Sequence, residues 1–193
     1  FLDFCCKYEI DFAGISFVDK ADYLIKIQKY LGKRHPIAIA KIENSSAIEN
    51  LLEILEISYA IMIDRGDLSV ETNPSRIGIL QKHILLEANK LGVPVIVATE
   101  MLHSMQESIH PTKAECNDIT NSVLDGSSCL VLSGETAVGE NPHESIKTMK
   151  SIIELTRKYV LNNDNNSLKY IEKNQKSQAD LMAASVSLIT SSK

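Results

Sequence analysis

The sequence has 193 residues, of which 44% are hydrophobic and 23% are charged, and its formal net charge is −5. This length suffices for one or two folded domains, and the composition is that of an ordinary globular protein. The mildly negative charge and the lack of a basic run argue against a nucleic-acid-binding protein. No apolar stretch approaches the ~20 residues of a membrane-spanning helix. We therefore expect neither nucleic acid nor a membrane as a partner.

Five short apolar runs alternate with amphipathic stretches of helical period. The runs cover residues 10–17, 37–41, 59–63, 94–99 and 128–132. Their near-continuous hydrophobicity is typical of parallel strands that are buried on both faces. Five strand–helix units predict an α/β fold, either part of a TIM-type (β/α)8 barrel or an open doubly wound sheet. The lack of a Gly-x-Gly-x-x-Gly sequence favours the barrel.

Residues typical of helix ends lie between these runs. The predicted N-terminal caps are Asp19, Ser46 with Glu49, and Thr112 with Glu115. Gly92 is predicted to end the helix that follows the third run, and Pro142 is predicted to open the helix after the fifth. These signals support the same alternation of strands and helices.

The composition changes after about residue 160. Residues 1–160 are predicted to form the later part of the barrel, and the Asn- and Lys-rich residues 161–178 are predicted to form a linker. Residues 179–193 predict one helix, which would begin a second, C-terminal domain. Because five units cannot close an eight-stranded barrel, we expect three further strands outside this sequence.

Polar and charged residues gather where each predicted strand ends, which in a barrel is the catalytic face. Lys41 and Glu43 are two residues apart on one strand and therefore point to the same side. Such a pair fits a metal-assisted reaction on an anion, although taken alone it is also typical of a surface ion pair. In the Arg65-Gly66-Asp67 turn, the carboxylate offers further oxygen ligands suited to Mg²⁺ or Mn²⁺.

Two hydroxyl residues follow later strands. Thr99 ends a very apolar run, where it would orient a substrate carboxylate, relay a proton, or simply cap the next turn. Ser133 opens a compact polar turn, residues 133–137, which alone indicates only a loop. We include it as a candidate for a proton relay or for the nucleotide side of a site.

Taken in this order, the segments resemble the pyruvate kinase family. The likeness runs from about residue 10 to residue 159, through IDFAGISFV, IAKIEN, IMIDRGDLSVE, PVIVATEMLHSM, PTKAE and NSVLDGSSCLVLSGETAVGENP. The resemblance implies strands four to eight of the barrel and phosphoryl transfer from phosphoenolpyruvate to ADP, which gives pyruvate and ATP in the last step of glycolysis. It also implies Mg²⁺ or Mn²⁺, K⁺ with ligands outside this sequence, and a homotetramer.

The resemblance also implies roles for single residues. Lys41 matches a lysine that stabilises charge during phosphoryl transfer, and Glu43 and Asp67 match ligands of the divalent ion. The backbone of residues 65–67 would receive the substrate carboxylate. Thr99 would lie beside it, near the protonated face of the enolate.

The sequence departs from the family pattern at several of these positions. Asp64 stands where the family usually has Ala, which predicts an extra acid near the metal. Val138 replaces a Lys often found near the nucleotide, so nucleotide affinity is left open. Ser69, Glu100 and His103 stand where Gly, Gln and Glu are usual, and their effect on activity is also left open.

Two other functions stay open at this point. One is a non-catalytic pyruvate-kinase-like paralogue or truncation product, and the other is a Mg²⁺-dependent barrel lyase acting on phosphoenolpyruvate or pyruvate. We expect the 193-residue piece alone to be inactive. Its four cysteines lack disulfide or metal spacing, which predicts reduced thiols in an intracellular protein. We expect a cytoplasmic protein, and the unusual substitutions and the Asn-rich linker would also fit a plastid form.

Overall fold

The computed structural model describes residues 1–32 and 36–174. It divides the chain into two compact units, Phe1–Ile152 and Ile153–Lys193, the second of which is described as far as Asn174. The first unit carries the sheet and every candidate site residue. The described part of the second unit is helical.

Five parallel strands form one sheet in the order in which they occur along the chain. They are β1 (Phe12–Ile15), β2 (Ile37–Ile42), β3 (Ile61–Asp64), β4 (Val95–Ala98) and β5 (Cys129–Val131). A doubly wound sheet reverses its strand order at a switch point, whereas consecutive barrel strands keep this order. Among the described residues the sheet does not close on itself. The prediction of a partial barrel with five strand–helix units is confirmed.

One helix precedes the first strand, and further helices follow every strand of the sheet. They are α1 (Leu2–Lys7), α2 (Ala21–Leu31), α3 (Ser45–Glu49), α4 (Leu51–Ile57), α5 (Arg65–Glu71), α6 (Ile77–Leu91), α7 (Lys113–Leu124), α8 (Gly134–Ala137) and α9 (Pro142–Asn174). Two 3₁₀ turns, Pro74–Arg76 and His103–Gln106, complete the described connections. In the described part of the chain, none of these helices is both long and apolar enough to cross a membrane.

Strands and helices share a buried apolar core. Ile42, Ile63 and Val97 on the strands are 0% exposed, as are Ile84 and Leu85 on α6. Burying one such side chain contributes roughly 1.5–3 kcal/mol, so a few of them outweigh any local preference of the chain. This core fixes the strands and therefore the residues that directly follow them.

Three of the predicted helix ends are confirmed. Thr112 and Glu115 form a reciprocal capping box at the start of α7. Gly92 ends α6 with a left-handed φ of 69°, which residues with a Cβ adopt reluctantly. Pro142 is the first residue of α9.

Two predicted caps are wrong. The N-cap of α2 is Lys20, which makes no side-chain cap, so Asp19 does not have this role. Helix α3 starts earlier than expected, and the side chain of Asn44 accepts the Ala47 N–H at 2.8 Å. Ser46 therefore lies inside the helix. Asn and Ser are about equally good caps, so the sequence alone does not choose between two such residues two positions apart.

Two short helices were predicted as turns. Helix α5 begins at Arg65, directly after β3, and helix α8 begins at Gly134, shortly after β5. Each contains a glycine in its first two positions, which lowers helix propensity by about 1 kcal/mol. Tertiary contacts made by Arg65 and Glu135, described below, compensate for this weakness.

Helix α9 also continues further than the composition indicated. It runs through the first part of the predicted linker, residues 161–178, to Asn174. Asn lowers helix propensity by less than about 1 kcal/mol per residue, and this segment holds neither Gly nor Pro to interrupt a helix. The helix expected at residues 179–193 lies outside the described residues, and the division into domains stays a prediction.

The capping box of α7 offers a test of the fold. Thr112→Ala removes the oxygen that accepts the Glu115 N–H at 3.2 Å. We expect it to lower the free energy of unfolding by about 1 kcal/mol, measured by urea denaturation. Thr120→Ala, within the same helix, is the matched control and is expected to be neutral or slightly stabilising because Ala favours helices. Equal effects of the two substitutions would contradict the capping role.

Candidate active site

The carboxyl-terminal edge of the sheet collects the candidate residues because parallel strands end side by side. Ile42 of β2 pairs with Ile63 of β3, which brings Glu43 next to Asp64. Asp64 in turn pairs with Ala98 of β4, so that Thr99 follows at the same edge. Residues that are distant along the chain are thereby adjacent in space.

Three carboxylates converge at this edge. Glu43, Asp64 and Asp67 each offer one oxygen, and these oxygens lie within 4.8 Å of one another. We call this group the acidic cluster. Glu43 is fully buried, Asp64 is 9% exposed, and Asp67 is open to solvent. The sequence predicted that Glu43 and Asp67 would meet and that Asp64 would lie nearby, and the geometry agrees.

The donor set of the acidic cluster fits a hard divalent cation. Mg²⁺ and Mn²⁺ prefer carboxylate oxygens, and Mg²⁺ usually binds one or two of them while keeping several waters. The exposed side of Asp67 leaves room for water and a substrate. Oxygen Oε1 of the buried Glu43 makes no hydrogen bond among the described residues, although it is ion-paired with Lys41. Glu43 and Asp67 are therefore suited to hold such an ion.

Lys41 supplies a positive charge to the acidic cluster. Its ammonium forms ion pairs with Glu43 and, at 3.0 Å, with Oδ2 of Asp64. It also donates to the Ser16 hydroxyl at 3.4 Å. Burial lowers the pKa of Lys41, but the hydrogen bonds and charges of Glu43 and Asp64 outweigh this effect and raise the pKa above its ordinary value. Lys41 is therefore a fixed cation.

The loop after β1 orients Glu43. The Phe17 N–H donates to Oε2 of Glu43 at 2.6 Å, a short bond of the kind that ionised acceptors make. Phe17 adopts a positive φ of 53°, which non-glycine residues adopt only when surrounding contacts hold them. The stem of Lys41 lies beside Gly14 of β1, where an added Cβ would stand 3.4 Å from its Cδ. Strand β1 and its loop therefore position both charges.

Asp67 is the most accessible carboxylate of the acidic cluster. Partial desolvation, followed by the negative charges of Asp64 and Glu43, raises its pKa above the ordinary value. The Lys41 charge acts in the opposite direction but does not cancel this effect. Asp67 is thus the acid whose negative charge is least compensated by its surroundings, and a cation there would relieve the repulsion.

Thr99 connects β3 to β4 through its hydroxyl. Oγ1 accepts the Gly66 N–H at 2.8 Å and lies 3.3 Å from Oδ1 of Asp64 and 2.6 Å from the Ala98 carbonyl, to either of which it donates. Thr99 and Glu100 both adopt positive φ, at 70° and 53°. For a β-branched residue this conformation is unfavourable, by about 1–3 kcal/mol. The surrounding contacts must therefore hold this 99–100 bend in place.

Arg65 provides those contacts. It is 5% exposed. Its guanidinium donates to the Thr99 carbonyl at 2.7 Å, to the Glu100 carbonyl at 2.9 Å and to Asp118 at 2.6 Å. A planar guanidinium matches several acceptors at once, which an ammonium does not. We predicted residues 65–67 as a binding backbone for a substrate, which stays a prediction, and the sequence did not indicate that the Arg65 side chain holds the 99–100 bend.

Glu135 connects the loops that follow β4 and β5. Its carboxylate, 1% exposed, accepts the Leu102 N–H at 3.0 Å and the Ser133 N–H at 2.9 Å. Burial raises the pKa of Glu135, but these backbone donors outweigh it and leave the pKa below its ordinary value. The described contacts of Ser133 are made by its backbone, so its role as a proton relay or nucleotide contact stays a prediction.

The sequence did not predict two residues that hold the Arg65 side chain, Gln81 and Asp118. Gln81 occupies a core position of α6, where its amide lies 3.5 Å from Arg65 and donates to Ser122 at 3.1 Å. A polar residue on the apolar face of a predicted helix was the available signal. Asp118 carried no such signal, because one acid in a polar helix is typical of a solvated surface.

The chain is similar to proteins of one known family. The family described as "Pyruvate kinase, barrel domain" matches residues 1–146. A pyruvate kinase of Dictyostelium discoideum is 44% identical over 153 residues, which are 78% of this chain and 30% of that protein. A pyruvate kinase of Staphylococcus aureus (strain USA300) is 42% identical over 151 residues, which are 77% of this chain and 26% of that protein. The chain thus spans less than a third of the length of these curated relatives.

Arg65 offers a test of the support beneath the site. Arg65→Met leaves Asp118 and two carbonyls without their buried donor. We expect the free energy of unfolding to fall by about 1.5–3 kcal/mol, since the two loop carbonyls lose a charged donor, whereas Asp118 is 36% exposed and can be solvated by water. Lys82→Met breaks the exposed ion pair with Asp125 and should cost less than about 1 kcal/mol. If urea denaturation gave similar losses for both, the supporting role of Arg65 would be wrong.

Glu135 predicts a pH-dependent contribution to stability. Its folded-state pKa lies below the ordinary 4.5, so its stabilisation is complete above that value and is lost as the pH falls through the folded-state pKa. We expect Glu135→Gln to lower the free energy of unfolding by about 1.5–3 kcal/mol at neutral pH. The difference should shrink at about pH 3.5. Glu53→Gln, at an exposed position of α4, is the control and should leave the free energy of unfolding nearly unchanged. A pH-independent effect of Glu135→Gln would exclude this explanation.

Proposed function

Because the chain belongs to the pyruvate kinase family, we propose that it carries the metal-binding and phosphoryl-transfer residues of a pyruvate kinase. The proposed reaction transfers the phosphoryl group of phosphoenolpyruvate to ADP and gives pyruvate and ATP. The observation that carries the proposal is the convergence of Lys41 with the acidic cluster at one edge of the sheet. The family match also favours this reaction over that of a barrel lyase.

Glu43 and Asp67 are the proposed ligands of Mg²⁺ or Mn²⁺. When bound, such an ion would neutralise charge on the transferring phosphoryl group and hold its oxygens. Glu43 is held for this task by the Phe17 N–H, and it is fully buried, so its oxygens do not reorient freely. Asp67 presents its oxygens on the open side of the acidic cluster.

Lys41 is the proposed stabiliser of developing negative charge. Phosphoryl transfer requires little covalent help from the protein and depends instead on positioning and charge neutralisation. The Lys41 pKa lies above its ordinary value, so the side chain carries a full positive charge at neutral pH. Its contacts with Ser16 and Asp64 fix the ammonium beside the proposed metal ligands.

Thr99 is the proposed residue next to the enolate. Its hydroxyl accepts the Gly66 N–H and lies 3.3 Å from Oδ1 of Asp64, a carboxylate that could exchange a proton with it. A substrate carboxylate bound to the backbone of residues 65–67 would compete with Thr99 for the Gly66 N–H. Substrate binding would then release the hydroxyl for the reaction.

The remaining parts of the proposal concern the whole protein. We propose phosphoenolpyruvate and ADP as substrates and a homotetramer as the assembly. The proposed K⁺ would be held by residues outside this sequence. Val138 would weaken nucleotide binding if a cation is required at its position.

A second candidate function is a non-catalytic family member that binds a divalent ion. One observation favours it: Lys41 already has two carboxylate partners, which reduces its attraction for an anionic substrate. An assay coupling ATP formation to phosphoenolpyruvate and ADP in the full-length protein decides between the two. Turnover supports the kinase, and saturable Mn²⁺ binding without turnover supports the second candidate.

Lys41→Met tests the proposed kinase reaction. Removing one preorganised donor typically reduces turnover about 10²–10³-fold, and we expect at least that loss in the full-length protein. Divalent-ion binding should persist, because the carboxylate ligands are unchanged. The coupled assay measures turnover, and Mn²⁺ titration followed by electron paramagnetic resonance measures binding.

Lys82→Met is the matched control for this substitution. Lys82 lies on α6, its side chain is mostly exposed and pairs with Asp125, and it should be dispensable for turnover. Near-normal turnover of Lys41→Met would contradict the role of Lys41, whatever the control shows.

A further inference from the structure

Asp64 is the member of the acidic cluster that is not a proposed metal ligand. One oxygen of its carboxylate, Oδ2, lies 3.0 Å from the Lys41 ammonium, and the other, Oδ1, lies 3.3 Å from the Thr99 hydroxyl. Its other neighbours are the carboxylates of Glu43 and Asp67, with which it forms the acidic cluster. Asp64 thus touches both proposed catalytic residues and adjoins both proposed metal ligands.

Each of the three N–H donors of the Lys41 ammonium has a partner within the site. An ammonium has three N–H donors. Their available partners are the carboxylate of Glu43, that of Asp64, and the hydroxyl of Ser16 at 3.4 Å. If Glu43 holds a metal ion, part of its negative charge is neutralised and its attraction for Lys41 is weaker. Asp64 would remain as an anionic partner, and a substrate anion would have to compete with it for Lys41.

The total charge of Lys41 and the acidic cluster also indicates that Asp64 favours a cation over an anionic substrate. Three carboxylates and one ammonium carry two net negative charges when all are ionised. One divalent cation brings the group to neutrality. Without Asp64, the same group with a cation would be positive, which favours an anionic substrate. A carboxylate this close and only 9% exposed is weakly screened by solvent, so its charge acts strongly on both ligands.

We propose that Asp64 is a specificity-determining residue that strengthens binding of the divalent cation and weakens binding of the anionic substrate. This inference rests on the proposed function, because it concerns the same site. It predicts that the two affinities move in opposite directions when the charge is removed. A purely structural role of Asp64 would weaken both.

Asp64→Asn in the full-length protein tests the inference. The amide keeps the size of the side chain and an oxygen acceptor for Thr99, but it removes the charge beside Lys41. We expect the dissociation constant of Mn²⁺, measured by electron paramagnetic resonance, to rise about tenfold. With Mn²⁺ saturating, we expect the dissociation constant of phosphoenolpyruvate, measured by calorimetry, to fall about threefold or more.

Asp125→Asn is the matched control. It makes the same chemical change and also breaks a lysine ion pair, but Asp125 follows α7 and lies at the opposite end of the strands from the acidic cluster. Both dissociation constants should match those of the unsubstituted protein. If Asp125→Asn reproduced the effect of Asp64→Asn, the local role of Asp64 would be refuted.

Glu43→Gln separates this inference from the proposed function. If Glu43→Gln abolishes Mn²⁺ binding while Asp64→Asn changes neither affinity, or weakens both, the inference about Asp64 is overturned and the proposed metal site stands. If Mn²⁺ binding survives Glu43→Gln unchanged, the proposed metal site is wrong, and the inference that rests on it is overturned as well.

Discussion

The crowding of like charges at the sheet edge is the constraint around which the first unit is organised. Parallel strands end together, and here that alignment brings Glu43, Asp64 and Asp67 within one ion's reach. Their mutual repulsion opposes folding and must be offset locally. Lys41 offsets part of it through its ion pairs, and the Phe17 N–H adds a charge-assisted bond to Glu43. In the proposed function, the remaining repulsion would favour binding of a cation at this site.

A second layer of buried contacts keeps this arrangement rigid. The 99–100 bend has an unfavourable backbone conformation and does not persist by itself. Arg65 holds its carbonyls from the first turn of α5, and Asp118 and Gln81 hold Arg65 from α7 and α6. Arg65, which directly follows Asp64 along the chain, thus also holds the 99–100 bend in place.

The sequence predicted those features that depend on local pattern. The five strands follow from apolar runs, and their observed bounds lie within or next to the predicted ones, as β4 at Val95–Ala98 within 94–99 shows. The sequence predicts that Glu43 and Asp67 lie together, because the ends of parallel strands align. The sequence did not predict α5, because its glycine lowers helix propensity and its stability comes from contacts of Arg65 with distant residues. The sequence predicts Ser46 as the cap of α3, whereas Asn44 has this role, because both residue types are good caps.

The single carboxylate of Glu135 has a mechanical consequence. It grips the Leu102 amide in the loop after β4 and the Ser133 amide in the loop after β5. Separating these loops would expose a buried ionised acceptor without its donors, at a cost of about 1.5–3 kcal/mol per bond. A ligand that displaces the turn at residues 133–137 would therefore also displace the segment that follows Thr99, through the bond to Leu102. Glu135 thus couples the position of the loop after β4 to that of the loop after β5.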